Sequence, residues 1–508
     1  MFRSNILRAL LLFGIATNVA FLLINLSPER PHLMGRRRMK VLVKASAQVA
    51  KWMKENELRE FGNDHDLDFE LIALPSFDDV VSRLKKEAKE PSGVLLAALD
   101  DEHADEARQE GAVRPVEGVL PPEELADLMA DFLPEVVDRA HGPDRKIWFV
   151  PKRASLDVTA FLRPAIEDAF LNWEKDRPQI EAALKEANGL GLPKGYELEK
   201  SPSQWDDYDL FVAGWYWAHH PAPWAKSRLN GEELTGLAPR FARRTGTSDE
   251  AVIDLLTSFY RHGMRARDLG KVDDPSVIDA LQWEALFRRH GLVASECTGP
   301  EGCDADSVDG LLRSRRVAWA TVSQEDSLWI HGGARKDAAY GMDVATDLGW
   351  SQRPAGVSVE LGIDGTPKRK GKTHSFLMTY FWTLPVKGAD PKLALQLARF
   401  LTQRGLQQRE AESLGMLPIR QDIREQYPIL FRLDWMQQLL DASYRQVFRG
   451  SSRIPDDLLE KNGDELYPYV LAAVLGSDSK TVPVTYAEVR KAALKAASTF
   501  KPEVSRAE

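Results

Sequence analysis

The chain has 508 residues, too many for one core and enough for two or three domains. Apolar residues make up 44% and charged residues 28%, which excludes a mainly disordered, collagen-like or polytopic membrane chain. Residues 1–38 hold six basic residues and one acidic, so the formal charge of −9 becomes −14 for the remainder, and a body that acidic has no whole-molecule attraction for nucleic acid.

Ile6 to Leu26 reads ILRALLLFGIATNVAFLLINL, 21 residues with Arg8 as the only charge, and predicts one membrane-spanning helix. Asn18 and Ala20 make a poor small-x-small cleavage motif, and no cysteine follows that could be lipidated, so residues 1–38 read as an uncleaved anchor. Arg30, Arg36, Arg37, Arg38 and Lys40 follow the span; by charge alone they would hold the body in the cytoplasm. Cys297 and Cys303 argue the other way. The turn between them contains Gly and Pro, and a disulfide closes there in an oxidising compartment, while two free thiols in a loop fit the residues as well. The residues alone leave the side of the membrane open.

The body alternates in type. Val41 to Val43 predicts a strand, 47–61 a helix, Phe69 to Leu74 a second strand, and Ser76 with Asp79 the capping spacing of a helix whose inner face carries Val80, Val81 and Leu84. Val94 to Leu99 is a third strand and 102–109 a third helix, ended by Gly111. Strict alternation with short loops indicates a parallel sheet covered on both faces. In such sheets ligands gather beyond the carboxyl ends of the strands, here Lys44 to Gln48, Pro75 to Phe77, and Asp100 with Asp101. An extended segment follows at 146–162, a Gly- and Pro-rich loop at 188–203, and mostly helical sequence to about His290. Val317 to Val322 predicts a strand, 365–373 a basic turn-rich loop, and Ser375 to Leu384 a long extended apolar run. Asp390-Pro391 starts a helix whose apolar face is Leu393, Leu397, Phe400 and Leu401, interrupted at Gly405.

Enzyme signatures are lacking: there is no H-E-x-x-H, no G-x-x-x-x-G-K-[ST] and no G-x-S-x-G. His219-His220 is the one tight histidine pair, and adjacent side chains diverge on any regular element, so no metal site is expected. Two cysteines cannot supply a four-thiolate zinc site. The aromatic residues say more. Trp215, Tyr216, Trp217 and Trp224 cluster, while Trp148, Trp319, Trp329 and Trp382 fall on predicted strands or strand ends. Rings near polar strand ends suit a pyranose, which has an apolar face and a hydroxylated rim; core packing is the alternative for each.

The order of these pieces resembles the extracellular solute-binding proteins of ATP-driven importers, in the sugar-type family that includes maltose-binding protein. The resemblance covers about 39–500. It rests on VLLAALDD, KIWFVPKRAS, VAWATVSQEDSLWIHGG, SFLMTYFWTLPVKGADPKLALQLARFL, Gly415 to Gln421, and the loop and helix of 189–217. It implies a two-lobed α/β periplasmic-binding fold, behind the N-terminal transmembrane helix, with crossing strands near 148–162 and 375–387. Lobe one would combine 39–150 with 385–430, and lobe two 160–375 with 432–500. The implied role is non-enzymatic and needs no cofactor: capture of a sugar or oligosaccharide on the extracytoplasmic side and delivery to permease subunits, with a membrane-tethered ligand sensor as the alternative. By family position Ser46, Gln48, Ser76, Asp100 and Asp101 would line the cleft from lobe one. Lys152, Arg153, Trp329 and Trp382 would meet the ligand at the hinge or on lobe two. The crossing at 378–382 is bulkier than the family's pattern, which often has glycines there.

Overall fold

The computed structural model describes residues 36–222, 227–229, 232–234, 238–246, 248–298, 302–331, 347–452 and 465–501. Ile6 to Leu26 and Trp224 lie outside them, as do the side chains of Gln48 and Trp329. Among the described residues no helix is long and apolar enough to cross a membrane.

The expected strand-helix alternation is present. Strands β1 (Arg37–Lys44), β2 (Leu67–Leu74) and β3 (Val94–Asp100) pair in parallel in the order β2-β1-β3, and all seven residues of β3 are buried. A fully buried, continuously apolar strand is what a sheet covered on both faces requires. The helix Phe77–Lys89 lays Val80, Val81 and Leu84 on the sheet. Its cap is the expected one, with Ser76 Oγ accepting from Asp79 N at 3.1 Å. The predicted helix of 47–61 is continuous from Ala47 to Asp64, through a π turn at Lys54–Leu58.

The sheet is not parallel throughout. A short edge strand, β4 (Val113–Arg114), and the two long strands β5 (Val150–Leu162) and, near the end of the chain, Ser375–Pro385 run antiparallel to their neighbours. The physical reason is topological. A chain that leaves one half of the sheet and later returns must cross in opposite directions, so its two crossings pair antiparallel. The hairpin β6 (Ser227–Leu229) and β7 (Glu232–Leu234) stands apart. In the second half, β8 (Arg240–Ala242) pairs in parallel with β9 (Val317–Ser323), and β10 (Leu348–Ser351) pairs antiparallel with β5. With Ser375–Pro385 as β11, the order is β2-β1-β3-β11-β5-β9-β8. The two residues Ser451–Ser452, β12, pair in parallel with the start of β11.

Both crossings fall where the sequence places them. The first half of β5 pairs with β11 (Leu156 with Leu377, Val150 with Trp382), and its second half pairs with β9 (Asp157 with Ser323). One hydrophobic core runs through both halves of the sheet. A second lies among the helices Asp249–Arg261, Pro275–Arg289, Leu466–Leu475 and Tyr486–Thr499. Asp390 caps the helix Pro391–Leu401 by accepting from Leu393 N at 3.1 Å; its break comes at Thr402 and Gln403 and not at Gly405, which is the second residue of the next helix, Arg404–Leu414.

The tryptophan cluster is mostly core. Trp205 stacks on Trp319 at 4.9 Å, and Trp217 beside them donates Nε1 to Ala165 O at 3.0 Å. Trp217, Trp319 and Trp382 are buried, so their faces meet other side chains rather than a ligand. Trp215 is half-buried and stacks on His219.

Candidate functional site

The register of the crossing strands creates a polar stripe. Side chains of paired residues share a face, and that face recurs every second residue. Tyr380 pairs with Asp100 on one side and Arg153 on the other; Met378 pairs with Ser155, and Asp157 with Ser323. Asp100, Tyr380, Arg153, Ser155, Asp157 and Ser323 therefore lie along one face, from the first half of the sheet to the second. Ser155 Oγ and Ser323 Oγ are 3.4 Å apart. Met378, 38% exposed, is the one open residue of β11.

Beside the stripe, the carboxyl ends of β1, β2 and β3 bring the expected residues of the first half together. Ser46 is exposed and caps the helix Ala47–Met53, accepting from Val49 N at 3.3 Å. Lys44 lies over the Phe77 ring at 4.8 Å, and Phe77 sits 6.0 Å from Tyr380, centroid to centroid. Asp100 is buried; it accepts from His103 N at 2.9 Å and faces His103 Nδ1 at 2.7 Å. Burial pulls the His103 imidazole down, but the hydrogen bond and charge of Asp100 outweigh it and hold the ring above its ordinary pKa. Asp101 takes Arg139 at 3.1 Å, and Arg139 also donates to Leu377 O on β11. Asp78, His103 and Glu106 offer atoms within 4.8 Å of one another, but Glu106 is engaged by Lys85 at 3.0 Å and His103 by Asp100.

Lys152 and Arg153 are placed by a bulge. The β5–β11 register shifts between Tyr380 and Phe381, which pair with Arg153 and Pro151, leaving Lys152 as the extra residue. A bulge lets consecutive side chains reach the same side. Lys152 Nζ and Arg153 Nη1 both donate to Glu410 Oε1, at 2.8 and 3.0 Å. Lys152, 5% exposed, also lies 5.2 Å from the Trp382 ring, which is 1% exposed. Lys152 and Trp382 thus brace the crossing from within, and in this structure present no surface to a ligand. Arg153 is more open, lying 4.6 Å from the Tyr380 ring. The expected residues therefore divide: Ser46, Ser76, Asp101 and Arg153 reach solvent, while Asp100, Lys152 and Trp382 support them.

The second half contributes residues the sequence reading passed over. At the carboxyl end of β8 a pocket of about 560 Å³ opens between the start of the helix Asp249–Arg261, the turn at 293–298, and the helix Leu466–Leu475. Its polar end holds Arg243, Arg244, Arg353 and Asp254; Leu255, Leu471 and Leu475 form an apolar wall. Arg244 reaches Asp157 of the stripe at 2.7 Å, and Arg353 pairs with Asp254 at 2.5 Å. Burial, then the charges of neighbouring Arg353 and Arg261, push the Arg243 guanidinium down to about 10 against the opposing pull of Asp254. Beyond β9, burial and Glu325 raise the Asp326 carboxyl to about 6. A basic doublet directly after a short strand was the only local sign of this pocket.

Cys297 and Thr298 line the pocket. Cys297 and Cys303 are joined by a disulfide, with Cα atoms 4.7 Å apart. Thr245, next to Arg244, pins both: its Oγ1 donates to Cys297 O at 2.7 Å and accepts from Cys303 N at 3.0 Å.

No family model and no curated protein matches the chain. Solved structures do. Maltose-bound MalE3 of T. maritima is 15% identical with a TM-score of 0.57, the match covering 91% of this chain and 99% of that one. The GacH receptor of Streptomyces glaucescens GLA.O, solved unliganded and with acarbose, is 15% identical at 0.57, over 92% and 100%. A Thermus thermophilus maltotriose binding protein, with maltotriose bound, is 14% identical at 0.55, over 90% and 99%. The chain therefore has the mixed α/β fold of these two-lobed binding proteins, and the polar stripe runs along the strands that join the two halves.

Proposed function

We propose that this chain is the substrate-binding component of an ATP-driven importer. Lobe one, 39–150 with 385–430, and lobe two, 160–375 with 432–500, close on a sugar or oligosaccharide and offer the closed shape to permease subunits. The protein performs no reaction on its guest. A ligand that touches both lobes favours the closed state by its differential affinity for it, and the crossing strands absorb the bend. One observation carries this reading: the polar stripe from Asp100 to Ser323 crosses the boundary of the halves beside a pocket of about 560 Å³. The fold likeness supports it, since the similar structures bear maltose, maltotriose or acarbose.

On this reading Ser46, Gln48, Ser76, Asp101, Arg153 and Trp329 meet the ligand, and Asp100, Lys152 and Trp382 hold them in place. Ile6 to Leu26 anchors the body on the extracytoplasmic face, where the Cys297–Cys303 disulfide is stable. A thermal-shift screen against mixed sugars tests the proposal. At least one oligosaccharide raises the melting temperature, and Trp329→Ala abolishes the rise. A response to an amino acid, peptide or metal, with none to any sugar, overturns the substrate class.

A further inference from the structure

We infer that the captured carbohydrate is acidic, with its carboxylate taken by the arginines of the lobe-two pocket; this rests on the capture of a sugar proposed above. Five arginines line the pocket: Arg243, Arg244, Arg261, Arg288 and Arg353. Four of them have a carboxylate partner, Arg243 in Glu284, Arg244 in Asp157, Arg261 in Asp207 and Arg353 in Asp254. Arg288 has none among the described residues, and donates Nη1 to the Thr298 carbonyl at 3.1 Å. The group thus holds one more cation than its partners neutralise, inside a body whose overall charge is strongly negative. Of the residues that line the pocket itself, five are arginines and two, Asp254 and Glu284, carry carboxylates.

Several buried polar atoms of the lining have no hydrogen-bond partner, the acceptors Asp254 Oδ1 and Glu284 Oε2 as well as arginine donors. A guanidinium carries five N–H donors, and one carboxylate takes two. Arg353 is 4% exposed, and its Nε and Nη1 have no hydrogen-bond partner; Arg244 is 6% exposed, and its Nε has none. Buried donors without acceptors are costly, and an incoming anion with several oxygens relieves that cost. Burial first, and then the charges of Arg353 and Arg261 against the pull of Asp254, depress Arg243.

The pocket lacks the platform a neutral sugar uses. None of its lining side chains is aromatic, and its apolar wall is aliphatic: Leu255, Pro468, Leu471 and Leu475. Recognition there leans on charge and hydrogen bonds, with the C–H face of the ring against leucine and proline. Arginine's planar fork fits a carboxylate with two parallel hydrogen bonds.

The experiment titrates the full-length protein with trisaccharides of galacturonate, mannuronate and guluronate, each beside its neutral methyl ester. One acid is expected to bind about tenfold more tightly than its ester or better. Its affinity falls as ionic strength rises, and Arg288→Gln removes the preference while the unliganded variant keeps its melting temperature. If an ester or a neutral oligosaccharide binds as well as the acids, this inference is overturned and sugar capture stands. If only a non-sugar acid such as citrate binds, or nothing does, sugar capture falls and takes this inference with it.

Discussion

The Lys152 ammonium lies 2.8 Å from Glu410 Oε1, and both side chains are 5% exposed. The pair joins the β5 bulge to the helix Arg404–Leu414, and Arg153 shares the same oxygen. Removing the carboxylate leaves two cations to be accommodated in a buried site. Glu410→Gln is expected to cost about 3–5 kcal/mol in urea unfolding. Lys152→Met, which takes away one charge and keeps the stem, should cost clearly less.

Glu57, on the π turn of the first helical segment, lies close to this group. Burial and then the charge of Glu410 push its carboxyl up to about 8, against the pull of Lys152 and Arg153. A carboxyl raised on folding binds more protons in the native state than in the unfolded chain, so it costs stability as pH rises from its unfolded value near 4.5 to about 8. Melting temperature should fall across that window, and Glu57→Gln should flatten the fall. An unchanged slope in the variant would place the titration elsewhere.

The Cys297–Cys303 disulfide ties two cysteines that Thr245 also holds through hydrogen bonds. Closure of so short a loop is worth about 2 kcal/mol. A Cys297→Ser, Cys303→Ser double variant should therefore melt earlier, and dithiothreitol should shift the native protein and leave the variant alone.

Gly415 ends the helix Arg404–Leu414 with φ +72°, and a Cβ there would lie 2.9 Å from Glu325 O, on the segment that follows β9. Gln324 Nε2 donates to its carbonyl. Gly415→Ala should cost about 1–2 kcal/mol from the left-handed backbone alone. It should also push apart the 415 and 325 segments, readable as a changed scattering radius without ligand.

What the sequence disclosed followed the range of the physics. Apolar runs and caps are local, so β3, Ser76 and Asp390 are legible in the sequence, and the two long strands lie where the family resemblance puts its crossings. Partnerships across the chain leave no such trace. Nothing near Lys152 announces Glu410, 258 positions away, so the family resemblance alone made Lys152 and Trp382 expected ligand contacts. Arg353 joins Asp254 and Asp157 only when three distant segments have folded together. Trp217 and Trp319 suggested a binding surface because clustering in sequence does not reveal which way a ring faces.

Arg244 and Arg353 both lean on Asp157, and Asp157 also takes its backbone N–H to Ser375 Oγ, at the start of the other crossing. Asp157 is therefore a strut shared by the pocket and the pivot. On the proposed reading, a guest that drew either guanidinium away would slacken the joint, and filling the pocket and freeing the bend would become a single event.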